Sequence, residues 1–348
     1  MTVVALPADQ KTLPGPDALS PLAAHSPIAQ AVARFLFVTS LSARPATVVY
    51  YERHLRPLLD LEKPVGTITI GDLQWLYAQL HSRQMRYATH PTRPALASGL
   101  STYTLHKYIR AWKRLFNWLV DEEVLQRSPA AKLERPRLPR RAPKHMTRDD
   151  LERMLESARG NQRDYALICF LADTACRVGG VATLRMHSLH LREQCAIVRE
   201  KGDEDREVIF EERTRIALER YITDERARIQ ERLLERGIEY DAKIVFLGEK
   251  GALTTGGIFQ ALERTAQRAG VQGRYNPHSL RHGWAIHALK NKANLKQVQQ
   301  YLGHKSITTT ATFYAIYLDD DLRAQHAQFT FLPLEQESEA GRSSDRPA

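Results

Sequence analysis

NPHSLRHGWAIHALKN, residues 276–291, is the stretch from which the rest of the chain is read. Asn276 is a helix-capping residue type and Pro277 suits the first helical position, so a helix is predicted to open here. His278 and Arg281 then stand about one turn apart and share a face. They sit at a helix N-terminus, where unsatisfied N–H groups and the dipole favour a phosphate. The plainer reading leaves this face to solvent. His282, next in the chain, reads as a packing residue behind it.

Working outward, residues 302–304 are LGH and residues 308–317 are TTTATFYAIY. Upstream, residues 174–185 are TACRVGGVATLR, with Arg177 just after the apolar run ALICFLADTA. Lys201 lies in the polar turn KGDED between CAIVRE and REVIF, which read as the two strands of a β-hairpin. Metal-free cleavage of a phosphodiester needs a nucleophile in line, cations on the nonbridging oxygens and an acid for the leaving oxygen. Arginine suits the cationic task, because its planar fork donates two hydrogen bonds and stays charged at any working pH.

In this order the fragments resemble the phage-integrase, or tyrosine recombinase, family. Its signature is an arginine in a T-G-x-R-x-x-E-like motif, a hairpin lysine, H-x-x-R, L-G-H and a terminal tyrosine. Any one fragment is common; five in order at compatible spacing are specific. The resemblance implies an α+β, mostly helical fold, with an all-α SAM-like core-binding domain and a mixed α/β catalytic domain carrying a small antiparallel sheet. It implies that the two domains close on duplex DNA like a clamp, and that Arg177, Lys201, His278, Arg281, His304 and Tyr314 are catalytic. Tyr314 would attack to leave a 3′-phosphotyrosine. Arg177, Arg281 and His304 would hold the phosphate, His278 would assist removal of the tyrosine proton, and Lys201 would protonate the 5′-oxygen. Exchange would pass through a Holliday junction in a homotetramer on two recombination sites, with no cofactor.

Two positions depart from the pattern. A carboxylate is usual three residues after the first arginine, and this chain has Gly180, so either another acid supports Arg177 or that side chain is less rigid. The tyrosine is usual nine residues after the L-G-H histidine, where Phe313 stands. A one-residue insertion makes Tyr314 the nucleophile, with Tyr317 as the alternative. Asp319, Asp320 and Asp321 point in different directions on any regular backbone and read as a solvated helix start rather than a metal site.

Composition sets the frame for this reading. The chain has 348 residues, with 50 Lys and Arg against 40 Asp and Glu, and the whole excess of +10 falls before residue 146. A basic first part followed by a balanced second part fits a DNA-holding module joined to a more specialised one. Within TYTLHKYIRAWKRLFNWLVDEEVL, Leu105, Tyr108, Ile109, Trp112, Leu115, Phe116 and Leu119 form an apolar stripe. His106, Lys107, Arg110, Lys113, Arg114 and Asn117 occupy the other side, without an anion before Asp121, which favours phosphate contact. Arg140 and Arg141 extend this basic character through SPAAKLERPRLPRRAPKHM, whose prolines at 129, 136, 139 and 143 predict an extended linker over 128–146. Thr147 then opens a new helix, with Asp150 at the capping-box position.

The expected organisation is a disordered lead (1–26), a core-binding domain (27–127), the linker, a catalytic domain (147–332) and a disordered tail (333–348). Three cysteines, Cys169, Cys176 and Cys195, are too few for a disulfide framework or a zinc site. No apolar run approaches a membrane span, and the N-terminus is a poor secretion signal. The expected setting is therefore the bacterial cytoplasm, on the nucleoid when bound. Two other functions share these features: a type IB topoisomerase-like enzyme that rejoins the same strand, and a non-catalytic DNA-binding accessory protein.

Overall fold

The computed structural model describes residues 22–84, 97–138, 145–199, 204–273, 276–304 and Ala311. The chain divides into two units between Arg140 and Arg141. Among the described residues the first unit is built from α1 (Ile28–Ser42), α2 (Pro45–Leu55), α3 (Ile70–His81) and α4 (Thr102–Asp121), with 3-10 turns at Arg56–Leu61 and Val65–Thr67. Ser101 caps α4 by accepting from the Thr104 amide. The predicted stripe of α4 is its buried face: Leu105, Ile109, Trp112, Leu115, Phe116 and Leu119 all lie in the core, with Tyr108 packed at its edge. Trp112 is fully buried, so its indole N–H must find an acceptor. It donates to the His54 carbonyl at 2.9 Å and ties α4 to the end of α2.

Two segments expected to be irregular join this core. Where a loose lead was expected, Ser26 is buried, and its carbonyl accepts from Val65 while that of Ala24 accepts from Gly66. A Cβ on Gly66 would lie 2.8 Å from that of Ala24, so glycine is what permits the approach. Beyond α4, Ala130 and Leu133 of the proline-rich stretch are buried, and Lys113 Nζ donates to the Ala131 carbonyl at 2.9 Å. Two apolar residues one turn apart outweigh the surrounding prolines and dock the start of the stretch on its own unit.

The second unit mixes helices with small sheets, as expected. Its elements are α5 (Arg148–Ala158), α6 (Gln162–Thr174), α7 (Val178–Ala182), β1 (Leu189–His190), β2 (Cys195–Arg199), β3 (Asp205–Ile209), α8 (Glu212–Arg220), α9 (Arg226–Glu235), β4 (Leu247–Gly248), β5 (Gly251–Ala252), α10 (Thr255–Arg268), α11 (Pro277–Lys290) and α12 (Leu295–Leu302). The predicted hairpin is β2 and β3, paired antiparallel from Cys195↔Ile209 to Arg199↔Asp205, and β1 adds a third strand. Helix α6 is buried continuously from Ala166 to Leu171, which makes it the central helix of this core. Near its end, Asp173 accepts from the Glu211 amide and the Thr214 hydroxyl, which caps α8 from outside its own sequence. Thr147 caps α5 through the Asp150 amide at 3.1 Å, but the Asp150 carboxylate pairs with Arg153 instead of closing a capping box. No helix among the described residues is long and apolar enough to cross a membrane.

Helix α11 is fixed by a close backbone approach. The Met146 amide donates to the Ser279 carbonyl at 2.9 Å. A Cβ on Gly283 would fall 2.5 Å from the Met146 carbonyl oxygen. Replacing Gly283 with Ala should therefore force the segment entering α5 away from α11 and destabilise the protein by about 1–3 kcal/mol, as overpacking does. Gly179→Ala, where an added methyl meets nothing within 4 Å, should shift stability by no more than about 1 kcal/mol. Urea denaturation of both variants checks the contrast, and equal effects would show that the approach at Gly283 relaxes freely.

Candidate active site

The site is assembled at chain reversals. Helix α6 ends on Ala175, whose φ of 48° is left-handed, and Arg177 becomes the N-cap of α7. A left-handed alanine costs about 1–2 kcal/mol relative to the right-handed form. Arg281 supports this turn by donating from Nη1 to the Ala175 carbonyl at 2.7 Å. Arg281 is only 5% exposed and sits in the second turn of α11. Asn276 caps that helix through the Ser279 amide at 3.0 Å, with Pro277 in the first position, as the sequence suggested. His278 lies in the same first turn and remains open to solvent.

Helix α12 closes the site. Gly303 takes the left-handed conformation, φ 59°, which ends the helix and explains the glycine of LGH. His304 follows, half-buried, its amide donating to the Gln299 carbonyl and its own carbonyl accepting from the Gln299 side chain at 2.9 Å. The Leu302 carbonyl accepts from Arg281 Nη2, and the Gly303 carbonyl accepts from Arg177 Nη2 at 3.3 Å. Arg177, His278, Arg281 and His304, four of the six predicted catalytic residues, are thus brought together.

The Gly180 departure has a steric counterpart. A Cβ there would already stand 3.3 Å from the Val198 Cβ and 3.5 Å from the Arg199 carbonyl oxygen. Helix α7 lies close enough to β2 that a side chain at 180 would require Val198 to give by a few tenths of an ångström. The Gly303 carbonyl, rather than a side-chain acid at position 180, supports Arg177.

Electrostatics follow from the crowding. Burial and then Arg206 lower the pKa of Arg177, which leaves an arginine charged at working pH. Partial desolvation and then Arg281 and Arg177 lower the pKa of His278. His304 is pushed down to about 4 by burial, with Arg281, Arg177, His282 and Arg206 adding to it. His282 also falls to about 4, through burial, His278, Arg281 and His145. All three imidazoles are therefore neutral at pH 7, each with one N–H donor and one acceptor nitrogen.

Arg206 was not among the expected residues. It projects from β3 on the side shared with Val208 and Phe210, both buried. Period-two alternation through REVIF was the signal that would have turned it inward. Lys201, Tyr314, Tyr317, Arg140, Arg141 and the acids at 319–321 lie outside the described residues. On α4, Lys107, Arg110 and Arg114 are exposed, Arg114 facing Asp121 at 3.9 Å, whereas Lys113 is half-buried and engaged with Ala131. Burial and then Arg135 and Arg110 lower the pKa of His106, so Arg135 stands near this cationic face.

The chain is similar to known proteins. Residues 144–319 match the family model described as the phage integrase family. Tyrosine recombinase XerD of Listeria monocytogenes serotype 4b is 30% identical over 224 residues, covering 63% of this chain and 73% of that protein. Tyrosine recombinase XerC of Oceanobacillus iheyensis is 28% identical over 283 residues, covering 80% and 88%. A solved structure of the Tn1549 transposon integrase in complex with a circular intermediate DNA shares the fold, with a TM-score of 0.68 at 19% identity over 87% of this chain and 99% of that one. Since the family match spans the two arginines, the histidines between and after them and the segment that follows, this chain belongs to the phage integrase family of tyrosine recombinases.

Proposed function

We propose that this protein is a site-specific recombinase that breaks and rejoins duplex DNA through a 3′-phosphotyrosine intermediate. The observation that carries the reading is the convergence of Arg177 and Arg281 on the last turn of α12, beside neutral His278 and His304, in a chain of this family. Two guanidiniums held by backbone carbonyls form a preorganised cation pair for the nonbridging oxygens of one phosphate. A neutral imidazole at His278 is able to accept the proton of the attacking tyrosine, whose ordinary pKa of about 10 leaves it unreactive unaided. The Tyr314 oxygen bonds to phosphorus, the bond to the 5′-oxygen breaks, and Lys201 gives that oxygen a proton. Attack by a partner strand's 5′-hydroxyl reverses these steps on a new strand. The phosphotyrosine keeps the bond energy, so rejoining consumes no nucleotide. Exchange proceeds through a Holliday junction in a homotetramer on two recombination sites, in the bacterial cytoplasm. Lys107, Arg110 and Arg114 of α4, with Arg140 and Arg141, contribute phosphate contacts that hold the duplex, while Lys113, which the sequence placed on the same face, secures the chain after α4.

A nicked suicide duplex carrying the cognate site should trap a covalent protein–DNA adduct. Tyr314→Phe should abolish the adduct and leave binding intact, since only a hydroxyl is removed. Loss in Tyr317→Phe, with an undiminished adduct in Tyr314→Phe, would move the nucleophile one turn on. Strand exchange between two DNA molecules, as opposed to relaxation of one, separates recombinase from topoisomerase.

The lowered pKa of His278 sets the sign of a pH effect. The neutral base is required, so single-turnover cleavage should hold its rate as pH falls from 7 to the ordinary histidine value of about 6.5. It should decline only below that value. His278→Asn should be slower by about a hundredfold or more at neutral pH. A wild-type rate already halved near pH 7 would show that another group is the base.

On α4, Lys107→Ala and Arg110→Ala should weaken binding to cognate and unrelated duplexes alike. Each should make the slope of log affinity against log salt shallower by about 0.9 for every phosphate no longer neutralised. Fluorescence anisotropy across a salt series measures this, and a weakening confined to cognate DNA would instead mean that the face reads bases.

A further inference from the structure

Three successive carbonyls at the end of α12 each accept from a different arginine. Leu302 takes Arg281 from α11, Gly303 takes Arg177 from the head of α7, and Tyr301 takes Arg206 Nη1 from β3 at 2.6 Å. The first two arginines belong to the phosphate site proposed above. The third has no part in that chemistry.

We infer that Arg206 is a positioning residue, which pins the last turn of α12 so that the Leu302 and Gly303 carbonyls hold Arg281 and Arg177 in convergent directions. The physical case starts from length. Helix α12 has only 8 residues. A two-turn helix is marginal on its own, and its last carbonyls have no partner within the helix. Left to itself this turn would fray, and both guanidiniums would lose their α12 acceptors together. Arg206 is well placed to prevent that. It stands on a strand paired with β2 over five residues, opposite Val198, and shares its inward side with buried Val208 and Phe210. The donor is therefore anchored by the main sheet, whereas α12 packs in a smaller apolar cluster with α11, around Ile286, Leu289, Val298 and Leu302. The hydrogen bond to Tyr301 joins the two. The charge also matters, because the carbonyl end of a helix carries partial negative charge and holds cations. Arg206 lies near enough to Arg177 and His304 to influence both.

This inference rests on the recombinase reading for its chemical readout, but the pin itself is testable on the protein alone. Amide hydrogen exchange should compare the wild type with Arg206→Met. Exchange at residues 299–304 should accelerate by about tenfold or more, while α6 and α10 keep their protection. In single-turnover cleavage of the suicide duplex at saturating protein, Arg206→Met should be slower by about ten- to a hundredfold with unchanged DNA affinity, as expected when catalytic groups drift by about an ångström. Arg206→Lys, which keeps a charge and a donor, should recover most of that rate. The double variant Arg177→Lys/Arg206→Met should fall short of the product of the two single defects by about threefold or more, because the part of the action of Arg206 that passes through Arg177 is already lost. Unchanged exchange at 299–304 overturns the pin. Defects that multiply in the double variant, or a defect confined to DNA affinity, overturn its action through Arg177. A wild type that forms no adduct counts against the recombinase reading alone, since the exchange measurement still decides the pin.

Discussion

Guanidinium groups repel one another, yet a site for a phosphate diester needs two or more of them within reach of the same oxygens. The end of helix α12 resolves this conflict. Its terminal carbonyls are the unsatisfied acceptors that every helix leaves at its C-terminus, and together they carry roughly half a negative charge. Arg281, Arg177 and Arg206 each satisfy one of them. The same bonds complete the helix and gather the cations. Each serves the other: the arginines satisfy the open carbonyls, and the negative end of the helix offsets part of their mutual repulsion.

The rest of the second unit serves this arrangement. Arg281 is buried and also braces Ala175, the left-handed residue that turns the chain from α6 into Arg177. Helix α11, which carries Arg281, is held against the entry to α5 by the contact at Gly283 and Met146. Strand β3, which carries Arg206, is held by its register with β2, against which α7 rests at Gly180. A side chain at position 180 would press on Val198 of that strand. The protein instead supports Arg177 with a backbone acceptor, whose position follows from the helix end and not from a rotamer. Crowding of positive charge has a further consequence. The histidines among the arginines remain neutral at physiological pH, which suits them to accept protons and to donate hydrogen bonds without adding to the repulsion.

The first unit shows how one helix serves two surroundings. The apolar face of α4 is fully engaged in packing, with Trp112 anchored on the His54 carbonyl, so the opposite face is left to charge. Its cations are not equivalent. Lys113 spends its donor on Ala131 and secures the chain after α4, whereas Lys107 and Arg110 remain exposed. Cations that stay in solvent, with no structural task of their own, are the ones available to a polyanion.

Periodicity and spacing alone determined a good deal about this protein. The stripe of α4, the antiparallel pairing of β2 with β3, the cap and proline that open α11 and the ordered fragments around Arg177, His278, Arg281 and His304 were all legible. Each is encoded locally, by hydrophobic period, capping residue or turn chemistry, or by motif residues recognised one fragment at a time. Other features were not legible, because they depend on what arrives from elsewhere in the chain. Ala130 and Leu133 dock on the first unit despite the prolines around them, and Asp150 prefers Arg153 to its own cap. Gly180 proved to rest closely against β2, and Asp173 caps a helix some 40 residues further on. The inward turn of Arg206 was implicit in strand alternation, but its partner was not. Residues 206 and 301 meet only because β3 and α12 are folded against each other, and a hydrogen bond between positions 95 apart in sequence leaves no local trace. The sequence by itself determined the family signature and the candidate groups for the chemistry; tertiary structure decided what holds Arg177 and Arg281, because both donate to backbone carbonyls, which every residue carries and no sequence pattern distinguishes.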